Sequence, residues 1–284
     1  MDKFGRNYLL LVEKTNGETL EIQPPFTVEF DIHRNSFSSA NVCSIRIYNL
    51  SPNNRNQITK DQFDTLDNRT IEFRAGYGDN LSIAFKGMIT QAWSVREGTN
   101  FITQIESYDG GFAYLNAVTD AQFPAGTPND SIIDTFAADL EKYGVSKGVI
   151  AQIGDTIPRG NAYSGSTTEI MREYTNGSFY IDNSKCNVIG EDQCIDGSIP
   201  VINSQSGLLG TPLKENQYIT FEMIFEPGLK IGQLIEIQSE GATRFNGTHK
   251  VVWLKHTGMI SDAVCGNAIT SVGVLSGSFT PVGG

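Results

Sequence analysis

Three histidines, four cysteines and a few close acid pairs are the residues of this sequence whose chemistry could go beyond packing. A zinc or hydrolase centre needs histidines and acids at helical or loop spacings such as H-E-x-x-H. His33, His249 and His256 offer no such cluster; His249 and His256 lie near one strand and its exit and read as surface or barrel-rim residues. There is no G-x-S-x-G. Gly76-Tyr77-Gly78 and Ser206-Gly207 read as turn glycines, because the long helix that a phosphate cradle requires does not follow them. Cys43 and Cys265 fall on the apolar register of strands, where cysteine acts as a small hydrophobe. Cys186 and Cys194 flank the turn in KCNVIGEDQC, and a bridge is open to them in an oxidising medium; a metal would need closer pairs and further histidines. Glycoside hydrolysis needs only two carboxyls at a set separation. The available pairs, Glu191-Asp192 and Asp61/Asp64, sit in polar, loop-like stretches and read as solvated. We therefore expect no catalytic, cofactor-binding or metal-binding residue.

The aromatic residues are expected to pack rather than bind. Phe26, Phe30, Phe73, Phe85, Phe101, Phe221 and Phe225 fall on alternating strand positions, whereas Trp93 and Trp253 suit either a core or an exposed anchor. The 284 residues suffice for two or three domains. With 21 basic and 32 acidic residues the formal charge is -11, which argues against a surface that grips nucleic acid or an anionic membrane. No apolar run reaches membrane-spanning length, and MDKFGRNYLLLVEK lacks a signal-peptide pattern, so synthesis in a cytosol is expected. The Asn-x-Ser/Thr triplets at Asn49 and Asn68 then carry no meaning as glycan sites.

The elements that would position these residues are mostly strands. Phe26, Val28, Phe30 and Ile32 alternate, as do Cys43, Ile45 and Ile47, which predicts two half-buried strands. Between them His33 to Asn41 reads as a polar, projecting contact loop with Phe37 as its one large apolar residue. Ser51-Pro52 predicts a short helix from about Pro52 to Ile58. Upstream, Tyr8 to Val12 and Thr19 to Ile22 flank Asn16-Gly17 as a hairpin, and Pro24-Pro25 belongs at an edge or bend. Downstream, 70–77, 81–91 and 101–108 read as strands joined by hairpin turns, and together these strands suit a small barrel or sandwich. The period then changes. Ile132, Ile133, Phe136 and Leu140 line one face of a helix that stops at Gly144, and Ser166 to Glu169 has capping-box spacing before a second, short helix that stops at Asn176-Gly177. A hairpin over 182–185 completes a mixed α/β stretch. From Gly207 the strand pattern returns, at 218–225, 234–238, 249–255 and 267–275. The two β regions share a layout more than residues, so the sequence leaves a duplication undecided.

The order FTVEFDI, SIRIYNLS, RTIEFRAGYGDNLSIAFKGMI and FITQIESYDGG resembles the first barrel domain of the central baseplate hub proteins of tailed phages. GLLGTP, the Pro227-Gly228 turn, GQLIEI and the Asn246-Gly247 turn resemble the second barrel of that family. The resemblance implies a mainly β fold with two tail-tube-like β-barrel domains joined by a small mixed α/β middle region, at 1–115, 201–284 and 116–200. It implies a structural virion protein without enzymatic activity or cofactor, assembled in the host cytoplasm. Three copies would form a pseudo-sixfold ring between the tail tube, or a tube-initiator protein, and the trimeric central spike, in contact with other baseplate proteins. DNA would pass through the ring without tight binding, along an acidic lumen. The alternatives are a carbohydrate- or receptor-binding tail protein and, third, a cell-wall hydrolase.

Overall fold

The computed structural model describes residues 5–37, 39–64, 67–264 and 266–283. The chain opens with β1 (Arg6–Glu13), β2 (Thr19–Ile22), β3 (Val28–Asn35), β4 (Val42–Tyr48), α1 (Pro52–Ile58), β5 (Thr70–Tyr77), β6 (Asn80–Glu97) and β7 (Asn100–Tyr108). Alternation fixes the faces: in β3, Val28, Phe30, Ile32 and Arg34 are buried. α1 starts where expected, with the Ser51 hydroxyl accepting the Asn54 N–H at 3.2 Å and Pro52 in the first turn. Leu10, Phe30, Ile45, Phe73, Phe85 and their neighbours form one core, each fully buried side chain contributing about 1.5–3 kcal/mol.

The middle region comprises α2 (Gly111–Asn116), β8 (Val118–Phe123), α3 (Asn129–Glu141), β9 (Ser146–Ile150), β10 (Asn161–Ser166), α4 (Thr167–Tyr174), β11 (Phe179–Ile181), β12 (Lys185–Val188) and β13 (Gln193–Ile195). α3 lays Ile132, Ile133, Phe136 and Leu140 into a second core. α4 forms without the expected capping box: no side chain caps its N-terminus, and the Ser166 hydroxyl instead meets that of Thr168 at 3.2 Å. Then come β14 (Val201–Ile202), β15 (Leu208–Glu215), β16 (Tyr218–Ile224), β17 (Leu234–Ile237), a 3-10 turn at Thr243–Phe245, β18 (Gly247–Ile260), β19 (Ala268–Ser276) and β20 (Thr280–Val282), over a third core. β20 pairs in parallel with β13.

Among the described residues thirteen strands join one sheet, whose main path runs β15-β16-β19-β18-β3-β4-β7-β6-β5-β1-β2. The fold is mainly β, with two barrel-like β units and a small α/β region. The strand order shows a repeat that the sequence left undecided. β3-β4-β7-β6-β5 and β15-β16-β19-β18-β17 have the same order, each a pair of strands followed by a three-strand meander whose last strand returns beside the pair. One bulge corresponds as well: the register shifts between Ile89 and Gln91 in β6 and between Val251 and Trp253 in β18, whereas the shifts at Phe73/Arg74 in β5 and at Leu209/Leu213 in β15 have no counterpart. The two units meet through an antiparallel ladder of β3 with β18, from Asn35 opposite Trp253 to Val28 opposite Ile260.

Several expectations change in three dimensions. Phe26 lies before β3 and Phe101 on the outer face of β7, and both are exposed; the Arg55 guanidinium lies 3.9 Å from the centre of the Phe101 ring. His33, Arg34 and Asn35 belong to β3, so the projecting loop shrinks to the residues after Asn35, and Asn41 is fully buried. Trp253 is half-buried with its indole against Gly273 across the β18–β19 pair, and Trp93 is half-buried on β6. Cys265 lies outside the described residues.

Candidate functional site

A two-residue turn from the middle region plugs the joint between the β units. Between β11 and β12, Asn183 and Ser184 both adopt left-handed backbone, with φ of 53° and 57°. Asp182, at the base of that turn, takes the Arg34 guanidinium in a two-pronged contact, Nε to Oδ1 at 2.8 Å and Nη2 to Oδ2 at 2.7 Å. The remaining Arg34 nitrogen donates to the carbonyls of Ala84 and Leu229 at 3.4 Å, one from each β unit. Asn41 donates to Ile181 O and to Asp182, and its own Oδ1 receives the Asn35 N–H. Asp109 Oδ1 accepts the Ser184 N–H at 2.7 Å, and Asn183 Oδ1 accepts the Lys86 N–H at 2.9 Å.

Arg34, Asn41 and Asp109 are buried in this cluster, and Asp182 is 12% exposed. Burial first, and the Asp182 carboxylate second, push the Asp109 carboxyl up to about 7. Nearby, burial and then the charge of Arg34 bring His256 down to about 3, which keeps its imidazole neutral against the Phe225 ring, with Nδ1 2.9 Å from the Thr270 hydroxyl. Both charged and neutral polar groups here serve to fix the three regions relative to one another.

A second feature is the polar outer face of the sheet around the joint. Glu29 binds Arg46 at 3.1 Å and the Tyr48 hydroxyl at 2.7 Å; Glu106 takes Ser44 and Gln104; Lys255 reaches across the joint to Asp31 at 3.5 Å. The acids outnumber the bases on this wall, and each is held by a neighbour.

The residues considered for chemistry do not converge. His249 is buried rather than at a rim, between Phe245 O at 2.8 Å and the Ser276 hydroxyl at 3.0 Å, and His256 is fully buried. His33 is exposed beside Asp31. Cys186 and Cys194 are free, buried thiols in different sheets, β12 against β9 and β11, β13 against β20; burial pushes the Cys186 thiol up to about 12. Cys43 is likewise free and buried. Asp61 and Asp64 form an exposed turn, Asp61 Oδ1 accepting the Phe63 N–H, while Glu191 and Asp192 are exposed and Lys250 binds the Gly190 and Glu191 carbonyls. Among the described residues no group of three or more His, Cys, Asp or Glu is arranged for a metal. The Arg34–Asp182 pair escaped sequence reading; an Arg on the apolar register of β3 was its one visible sign.

Residues 11–257 match the model of the family described as "Baseplate hub gp41". The chain belongs to the baseplate hub gp41 family. This is a family of structural phage tail and baseplate proteins, so the chain is a virion-associated tail component. A search of the curated proteins finds no match. Among solved structures, the hub is similar to a 43 kDa tail protein of prophage MuSo2 from Shewanella oneidensis, with TM-score 0.62, 7% identity and coverage of 95% of this chain and 98% of that one. It is similar to a tail protein from Neisseria meningitidis, with TM-score 0.63, 10% identity and coverage of 96% and 97%. It also resembles an E. coli type VI secretion system component described as structurally similar to the T4 bacteriophage tail proteins gp27 and gp5, with TM-score 0.59, 8% identity and coverage of 89% and 74%. At these identities the likeness concerns the fold.

Proposed function

We propose that the chain is the subunit of a trimeric baseplate hub whose six barrel-like units, two per copy, form a pseudo-sixfold ring. The observation that carries this reading is the repeat: one chain holds two units of the same strand order, already joined edge to edge by β3 and β18. Heterologous joints of this kind close into rings when the rotation between units divides the circle. The division into a first barrel at 1–115, a middle region at 116–200 and a second barrel at 201–284 follows the same repeat. The ring joins the hexameric tail tube, or a tube-initiator protein, to a trimeric central spike and contacts other baseplate proteins. It assembles in the host cytoplasm and catalyses no reaction.

The genome passes through the ring, and the paired acidic face around Glu29, Asp31 and Glu106 forms part of a wall that does not retain phosphate backbones. Phe37, half-exposed and leaning on Tyr218 with ring centres 5.8 Å apart, completes a contact with a neighbouring subunit. Light scattering and negative-stain imaging of the purified protein test the assembly: a trimeric mass and a six-lobed ring are expected, and a monomer at every concentration overturns the reading.

A further inference from the structure

The repeat leaves two sheet edges open, and each is the counterpart of an edge that the chain itself pairs. β18 runs past its partner β17, and its free arm, Trp253–Ile260, receives β3. β6 likewise runs past β5, whose ladder with it ends at Met88. Beyond that point Lys60 alone bridges Ala92, and no described strand covers 93–97 on that side. The Ala92 N–H and C=O are both bonded to Lys60, so in an antiparallel ladder the backbone groups of Ser94 and Arg96 face the same open side. β15, the counterpart of β3, ends the sheet at its other extreme. Its two-residue turn into β16 sets Glu215 opposite Tyr218 as a bonded pair, which turns the backbone groups of Lys214 outward.

We propose that β15 of one copy adds to the free arm of β6 in a second copy of this chain, antiparallel and in the register of the β3–β18 joint. The register follows from the two bulges and the two ladders. Aligning Gln91 with Trp253 places Ser94 on His256 and Val95 on Thr257. Aligning the pairs of β15 and β16 with those of β3 and β4 places Lys214 on Ile32 and Leu213 on Asp31. Since Ile32 faces His256 and Asp31 faces Thr257, Lys214 faces Ser94 and Leu213 faces Val95. The two residues whose backbone groups point outward thus meet as a bonded pair. The two apolar side chains beside them, 57% and 39% exposed in the single chain, cover one another. The joint is shorter than its intrachain counterpart because Lys60 occupies the place that Arg34 holds against Leu254.

This proposal rests on the ring reading and adds to it which edges meet, and in what register. Leu213 and Val95 would form a non-hydrogen-bonded pair, whose close Cβ atoms suit a disulfide. The full-length Leu213→Cys/Val95→Cys variant is oxidised mildly and run on a non-reducing gel, with light scattering before oxidation. Covalent dimers and trimers are expected, absent from either single variant and strongly reduced for Glu215→Cys/Val95→Cys. A ring that forms but does not cross-link at this pair overturns the register while leaving the ring intact. Cross-linked open chains without a closed trimer support the strand addition and overturn the ring. A persistent monomer overturns both. Lys214→Pro provides a second arm, since it removes only an outward-facing donor: loss of the assembled species at an unchanged melting temperature is expected. Unaltered assembly of that variant contradicts the proposal.

Discussion

Asp109 and Arg34 show how much of the joint rests on a few buried polar groups. Asp109 has a folded pKa near 7 against about 3.8 when unfolded, so the folded state binds the extra proton. Its contribution is fully present below about pH 4 and is lost as pH rises through 7, by no more than about 4 kcal/mol. His256, depressed to about 3, acts in the opposite sense and costs stability as pH falls below its unfolded value of 6.5. Asp109→Asn keeps the acceptor for the Ser184 N–H and removes the titration. Urea unfolding at pH 5 and pH 8 should then show the variant gaining most relative to the native chain at pH 8; an equal difference at both values would contradict the assignment. Arg34→Met leaves the Asp182 carboxylate, 12% exposed, with the Asn41 amide but without its cation, beside two uncompensated carbonyls, and is expected to cost about 3 kcal/mol in the same measurement. Most of that loss should return in Arg34→Met/Asp182→Leu, because the cost lies in the unpaired charge.

At the scale of elements, the close approach of Trp253 to Gly273 holds β18 against β19. A Cβ at 273 would stand 1.9 Å from the indole nitrogen, so Gly273→Ala must move the ring. A loss of about 1–3 kcal/mol is expected, accompanied by a shifted tryptophan emission spectrum. α1 offers a milder case: Ser51→Ala removes the one side-chain cap of the helix and should lower stability by about 1 kcal/mol, read by thermal melting. Strands with strict alternation, such as β3 and β4, were legible from sequence. β15 was not, because its outer face carries Leu209 and Leu213 in the open and its ladder with β16 slips between them, which hides the period.

For the whole molecule, the joint between copies should be obligate in size. A closed ring in which each barrel meets two neighbours needs interfaces on the order of 2,000 Å² or more per pair, and a structure of the assembly with only small, wet contacts would contradict the hub reading. Phe37→Ala should weaken assembly without lowering the melting temperature; intact rings with a lower melting temperature would mean that Phe37 serves its own chain, packed against Tyr218 of the second β unit. Filter binding with duplex DNA at low salt should show no retention, as the net charge of -11 implies.

The amino-acid sequence by itself determined the local structure: the alternation that makes strands, the Ser51-Pro52 helix start, the apolar stripe of α3 and the excess of acid over base. These are properties of neighbours in the chain, set by backbone geometry and side-chain period within a few residues. Only the tertiary structure decided that Phe101 is exposed, that His249 and His256 are buried, and that Cys186 and Cys194 lie in separate sheets. It alone brought Arg34 to Asp182 and β3 to β18, across separations of 148 residues and more. Such contacts depend on which sheet edges remain unpaired after local folding, and a linear pattern carries no record of that. The duplicated strand order is hidden for the same reason: the two units share a strand order and one bulge, which backbone geometry preserves while side chains diverge.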